Sequence, residues 1–153
     1  MGMYTGLRFK GIIKPQYRKM IQHISNNDGL WRNYHHLDFL TNYLRLSRAE
    51  FIPKGALAYM PDSWEDESIP ADSFRDYFDP ETGYWAFRCS LKNYEDEIDV
   101  FLKDVLPIIA ESAEHIEVLY EEWSASNLYE LKDNKVFHTD QIVYEYTEEG
   151  DWI

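Results

Sequence analysis

Between Gly83 and Trp123 the spacing of apolar residues changes twice. From Tyr84 to Lys92, the residues Trp85, Phe87, Cys89 and Leu91 alternate with Tyr84, Ala86, Arg88, Ser90 and Lys92. Period two with aromatic enrichment predicts a half-buried strand, and Asp79-Pro80-Glu81-Thr82-Gly83 before it carries turn chemistry. Ile98, Phe101, Leu102, Val105, Ile108 and Ile109 then recur at helical spacing as one apolar stripe. Asn93 is the expected N-cap, with Glu95, Asp96 and Glu97 in a first turn where the helix dipole favours anions. A helix over 94–112 would be roughly 28 Å long. Pro107 lacks a backbone donor and predicts a kink or a new last turn. From His115 to Trp123 the alternation returns, with Ile116, Val118 and Tyr120 on one face and Glu117, Leu119 and Glu121 on the other. Strand, helix, strand at this spacing fits a parallel crossover whose helix covers one sheet face.

The flanking segments are read the same way. Tyr4 to Lys14 is an expected strand, with Leu7, Phe9 and Ile13 on one face and a bulge or close approach at Gly11. Pro15 opens an expected helix carrying Tyr17, Met20, Ile21 and Ile24, which Asn26-Asn27-Asp28-Gly29 stops. Leu30 to Leu46 is a second expected helix, and Ser47-Arg48-Ala49-Glu50 has the form of a capping box. Ala56 to Met60 fits a short strand. Pro61 to Gly83 is irregular, yet its Trp64, Phe74, Tyr77 and Phe78 need burial, and Ser73 to Phe78 fits a helical turn. Asn127 to Lys132 and Lys135 to Thr139 flank Asp133-Asn134, a tight hairpin signal. Gln141 to Thr147 alternates weakly. The order predicts an α+β single domain over 1–153. Its core is expected to be β-α-β-β-α-β of the ferredoxin-like type, with a helical insertion and an extra C-terminal hairpin.

Composition adds a compartment and a charge layout. At 153 residues the chain can hold one core without staples. Its single cysteine, Cys89, falls on the core face of a strand, so it reads as a small buried hydrophobe and fits a reducing, cytoplasmic setting. The N-terminus has no apolar h-region, and no run reaches the roughly 20 apolar residues of a membrane span. The net charge of −13 is uneven. Residues 1–60 hold nine Lys and Arg against three acids, +6, and residues 61–153 hold six against 25, −19. An acidic half repels nucleic acid and attracts basic surfaces.

Motifs for chemistry are sparse. The seven glycines make no phosphate loop, no serine sits in a nucleophile elbow, and one cysteine cannot make a CxxC. His23, His35, His36, His115 and His138 form no HxxxH or HExxH pair. Glu117 and Glu121, four strand residues apart, are about 13 Å from one another, beyond the roughly 5–9.5 Å of glycosidase pairs. Glu65-Asp66-Glu67 lacks the spacing of a calcium loop. No catalytic residue, metal ligand or cofactor is therefore expected.

The distinctive pattern is carboxylates beside rings, in Tyr94-Glu95-Asp96-Glu97, Tyr120-Glu121-Glu122-Trp123 and Tyr144-Glu145-Tyr146-Thr147-Glu148-Glu149. Carboxylates steer and pair with Lys or Arg, while rings anchor at low entropy cost. The alternative is a solvated acidic face with its tyrosines tucked into the sheet. The expectation is an inhibitor or immunity-type protein that caps a basic, nucleic-acid-processing partner without touching nucleic acid itself. Its contact residues would include Glu121, Glu122, Trp123, Tyr144, Glu145 and Tyr146. Two other classes fit less well. One is a small enzyme with a pocket under the 61–83 connection, using Glu65, Asp66 or His115. The other is a self-assembling homo-oligomer whose basic end meets the acidic end of the next chain.

Overall fold

The computed structural model describes residues 3–65 and 74–144, the last five without their side chains. Its framework is one antiparallel sheet of six strands: β1 (Tyr4–Ile13), β2 (Tyr77–Phe78), β3 (Tyr84–Lys92), β4 (Ala110–Tyr120), β5 (Ala125–Lys132) and β6 (Lys135–Tyr144). The order across the sheet is β2-β3-β1-β4-β5-β6. With the helices between the strands this is an α+β architecture.

Opposite residues in a ladder share a face, so the register sorts the side chains. Leu7 faces Cys89 and Val118, and Phe9 faces Phe87 and Ile116. These residues, with Ile13, Trp85 and Leu91, belong to one buried apolar cluster. Helix Arg18–Ser25 adds Met20, Ile21 and Ile24 to it. The 97–109 run adds Ile98, Phe101, Leu102, Val105, Leu106 and Ile109. The sheet's register shifts between Lys10 and Gly11, where the sequence places a bulge.

The run between β3 and β4 is shorter and less regular than its apolar stripe predicts. It comprises Glu97–Val100, a widened π turn over Phe101–Val105, and Leu106–Ile109, after which the chain is already extended. Pro107 accounts for the widening. It has no N–H for the carbonyl of Lys103, and its ring crowds that carbonyl. The widened turn closes on the Leu106 N–H, which donates to Phe101 O five residues back. The expected N-cap is corrected: the helix starts at Glu97 with Asp96, in left-handed backbone, at the cap position, and Asn93 contributes only from three residues further back, its Oδ1 accepting from Ile98 N–H at 2.8 Å. The crossover is split. β3 and β4 run parallel, but β1 lies between them and pairs antiparallel with both.

Four further local expectations are corrected. Leu30 to Leu46 is not one helix but three 3₁₀ turns, Trp31–Tyr34, Asp38–Leu40 and Tyr43–Arg45. The rings decide this. Trp31 and Tyr43 are fully buried and lie edge-on or tilted to Phe101, with centroids 5.8 Å away. The Trp31 indole donates to Ile52 O at 2.6 Å, and tertiary burial outweighs a weak helix propensity. The Ser47–Glu50 box does not form. The Glu50 carboxylate instead accepts from Trp31 N–H and Arg32 N–H at 2.7 and 3.0 Å, and Ser47 donates to Glu95. Ala56 to Met60 is no strand. Its carbonyls at Ala56 and Ala58 accept from Ser90 Oγ instead of joining a ladder. Tyr77 and Phe78 are strand rather than helical turn, and Ser73 lies outside the described residues.

The hairpin is as read. Asp133 and Asn134 both take positive φ, 54° and 62°, as a tight two-residue hairpin turn requires. Among the described residues no helix is long and apolar enough to cross a membrane.

Candidate protein-binding surface

Antiparallel pairing brings distant segments to one end of the sheet. β1 begins there at Tyr4, β3 ends at Lys92 opposite it, and β4 ends at Tyr120 opposite Thr5. β5 begins at Ala125 opposite Tyr144, the last residue of β6. Glu121, Glu122, Trp123 and the backbone of Tyr144 therefore lie at the same end. Glu145 and Tyr146 lie outside the described residues.

A run of aromatic rings crosses this end. Tyr59 lies 5.3 Å from Tyr4 between centroids. Met3 N–H donates to the Tyr94 hydroxyl at 3.2 Å, and Tyr120 packs edge-on to Trp123 at 5.9 Å. Three of these rings are largely in solvent: Tyr59 at 69 %, Tyr94 at 57 % and Trp123 at 42 % exposure. Tyr59 and Asp96 hold left-handed backbone, φ 62° and 61°, which is uncommon for residues other than glycine. Two cations stack on rings of this run, Lys92 on Tyr4 and Arg48 on Tyr94.

The acids among the rings have different tasks. Glu121 is tied down: its carboxylate accepts from Tyr4 N–H, and its own N–H donates to Tyr4 O. It locks the start of β1 to the end of β4. Glu122 is exposed. Glu95 is exposed but accepts from the Ser47 N–H and hydroxyl, both at 2.9 Å. Those two bonds hold its carboxyl below the ordinary 4.5. Partial desolvation, then the charges of Glu122 and Glu121 and the neighbouring Tyr94, raise the Tyr120 hydroxyl above 10.0. Beside Trp123 a shallow cleft of about 420 Å³ is lined by Glu122, Ser124, Ala125 and Asn127. Tyr94 stands in one of the acidic-aromatic runs of the sequence, but Tyr59 sits in the Ala56–Met60 stretch, read as a short strand with no acid beside the ring, and gives no such signal.

The residues of the enzyme reading sit elsewhere. The sheet's second face carries Gly6, Arg8 and Lys10, opposite Leu119, Glu117 and His115. Arg8 Nε and Nη2 donate to Glu117 Oε1 at 2.9 and 2.7 Å, and Ser126 Oγ donates to Oε2 at 2.5 Å. His115 Nε2 lies 2.7 Å from the same Oε1. Trp64 and Phe74 cover the Arg8 guanidinium at 4.4 and 4.5 Å, and Phe74 also covers the Lys10 ammonium and the His115 ring. Glu117 is fully buried, and a carboxylate holding this many donors is poorly placed as a general base. Cavities of about 620, 430, 420 and 270 Å³ are lined by other residues than Glu117 and His115. Glu65 is exposed, and Asp66 and Glu67 lie outside the described residues.

Cys89 is fully buried, and desolvation pushes its thiol far above the ordinary 9.0, so it cannot serve as a nucleophile near neutral pH. Comparison with protein-family models, curated proteins and solved structures gives no match. The reading of the surface rests on its own chemistry.

Proposed function

We propose that the chain is an inhibitor or immunity-type binding protein that caps a basic surface of a nucleic-acid-processing partner in the cytoplasm. The observation that carries this reading is the exposure of Tyr59, Tyr94 and Trp123 along one sheet end, with the free carboxylate of Glu122 among them. Exposed rings that make no core are anchors in search of a partner. The acids select that partner for positive charge. The contact is read as Glu121, Glu122, Trp123, Tyr144, Glu145 and Tyr146, extended by Tyr59 and Tyr94. Glu121 serves mainly to hold the platform.

Direct binding to nucleic acid is disfavoured because three basic residues of the first half, Arg8, Lys10 and Arg18, are engaged within the fold. Arg8 and Lys10 lie under Trp64 and Phe74, and Arg18 donates to Ile13 O and Glu81 O at 3.0 Å. On the same footing we read β1 to β4 as a ferredoxin-like core. The chain order β-α-β-β-α-β and the sheet order β2-β3-β1-β4 support this.

The test is capture from a lysate of the source cell on immobilised chain, at low and high salt. Trp123→Ala and Glu122→Lys chains run in parallel. A basic protein retained by the native chain at low salt, reduced at high salt and lost on both variants supports the reading. Equal retention by all three chains rejects it.

A further inference from the structure

We propose that a second site, the cavity bounded by Lys54, Arg75 and Arg88, binds a phosphate group. The cavity is about 430 Å³, and Asn27, Gly55, Ala56 and Asp76 also line it. Its three cations come from three places in the chain: the turn Phe51–Lys54, the residues just before β2, and β3. A cationic cavity in a chain of net charge −13 runs against the general field of the molecule.

The Lys54 ammonium nitrogen is buried and has no hydrogen-bond partner among the described residues. It carries three donors, and leaving them unmet is costly. Arg75 and Arg88 have interactions of their own and add their positive charge to the lining of the cavity. Asp76 accepts from Ser25 Oγ at 2.9 Å and offsets part of the positive charge through its field on Lys54 and Arg88, as Asp28 does on Lys54, but neither acid hydrogen-bonds the Lys54 ammonium.

The loop geometry is fixed by close approach. A Cβ on Gly55 would lie 2.2 Å from Ser90 O, so glycine lets the loop rest on β3 and holds Lys54 beside Arg88. Donors converging from three segments suit a tetrahedral group with three outward oxygens better than a planar carboxylate with two. The volume leaves room for whatever the phosphate is attached to, so the ligand is either the free ion or the phosphate end of a nucleotide. Burial lowers the Lys54 pKa below 10.5, against the pull of Asp76 and Asp28, and a bound anion would raise it again.

The experiment is amide and lysine-side-chain NMR of the full chain at constant ionic strength. It is titrated separately with inorganic phosphate, adenosine 5′-monophosphate and acetate. The expected result is saturable shifts at Gly55, Ala56 and Arg75 with phosphate or the nucleotide, and a raised Lys54 pKa at saturation. Arg75→Gln and Lys54→Met should each weaken binding roughly ten-fold. Arg75 is exposed, so its variant keeps the test decisive if the Lys54 variant fails to fold. Tighter binding of the nucleotide assigns a nucleotide ligand, and equal or weaker binding assigns the free ion. No saturable shift with either, equal affinity for acetate, or unchanged affinity in the variants overturns the proposal.

Discussion

Glu121 and Glu122 are neighbours of the same type with different work. Glu121 closes a ladder end through Tyr4, whereas Glu122 faces solvent. Alternation along β4 could not separate them, because the distinction depends on where β1 begins. The pair Ser47 and Glu95 allows a pH test. Glu95 titrates below its ordinary value when folded, so its contribution to stability is present above about pH 4.5 and is lost as pH falls through the folded pKa. Ser47→Ala removes the hydroxyl bond and leaves the backbone one. The Glu95 carboxyl, followed by carbon NMR, should titrate closer to 4.5 in the variant, and the stability difference should vanish at the acid end. A Glu95 midpoint unmoved by the substitution would contradict the assignment.

Gly6 and Glu117 show what the second face of the sheet demands. A Cβ on Gly6 would lie 2.4 Å from Met60 Sδ and 2.6 Å from the Trp64 ring. Gly6→Ala should therefore lift that cover and cost about 1–3 kcal/mol by denaturant titration. Glu117→Gln keeps the shape and removes the charge that Arg8 and His115 face. Breaking a buried pair in this way costs about 3–5 kcal/mol, and a midpoint within error of the native chain would contradict it. The alternation put Glu117 on the polar face of β4. That this face is itself buried was not legible, because its cover, Trp64 and Phe74, lies in a stretch without periodicity.

At the scale of elements, regular patterns were legible and irregular ones were not. The Trp85-to-Leu91 and Ile116-to-Val118 faces, the Met20-Ile21-Ile24 helix and the Asp133-Asn134 turn follow from period and turn chemistry alone. The stripe around Phe101 gave the buried face of the 97–109 run, but Pro107 and the early start of β4 shortened it. Leu30 to Leu46 carried a helical spacing that tertiary burial of Trp31 and Tyr43 overrode. Phe101, fully buried against Trp31, Tyr43 and Phe87, is the contact that joins these elements. Phe101→Ala should cost about 3–5 kcal/mol, seen as a large drop in thermal midpoint, and a small drop would mean the run is not core.

On the scale of the whole molecule, the charge halves of the sequence are not halves of the structure. β1, from the +6 segment, lies between β3 and β4 of the −19 segment, and its Arg8 and Lys10 are covered. This weakens the head-to-tail assembly that the linear charge asymmetry suggests. It leaves the acidic residues to act outward, where rings gather at one end of the sheet.

That end makes a kinetic prediction once a basic partner has been captured. Exposed charge acts on encounter and desolvated rings act on residence. The direct measurement is surface plasmon resonance of the native, Glu122→Lys and Trp123→Ala chains against that partner at two ionic strengths. Glu122→Lys should mainly slow association, with a smaller salt dependence than the native chain. Trp123→Ala should mainly speed dissociation, by roughly 30-fold for a hot-spot ring worth about 2 kcal/mol. Salt-independent association by the native chain, with dissociation unchanged in Trp123→Ala, would place the function away from this surface.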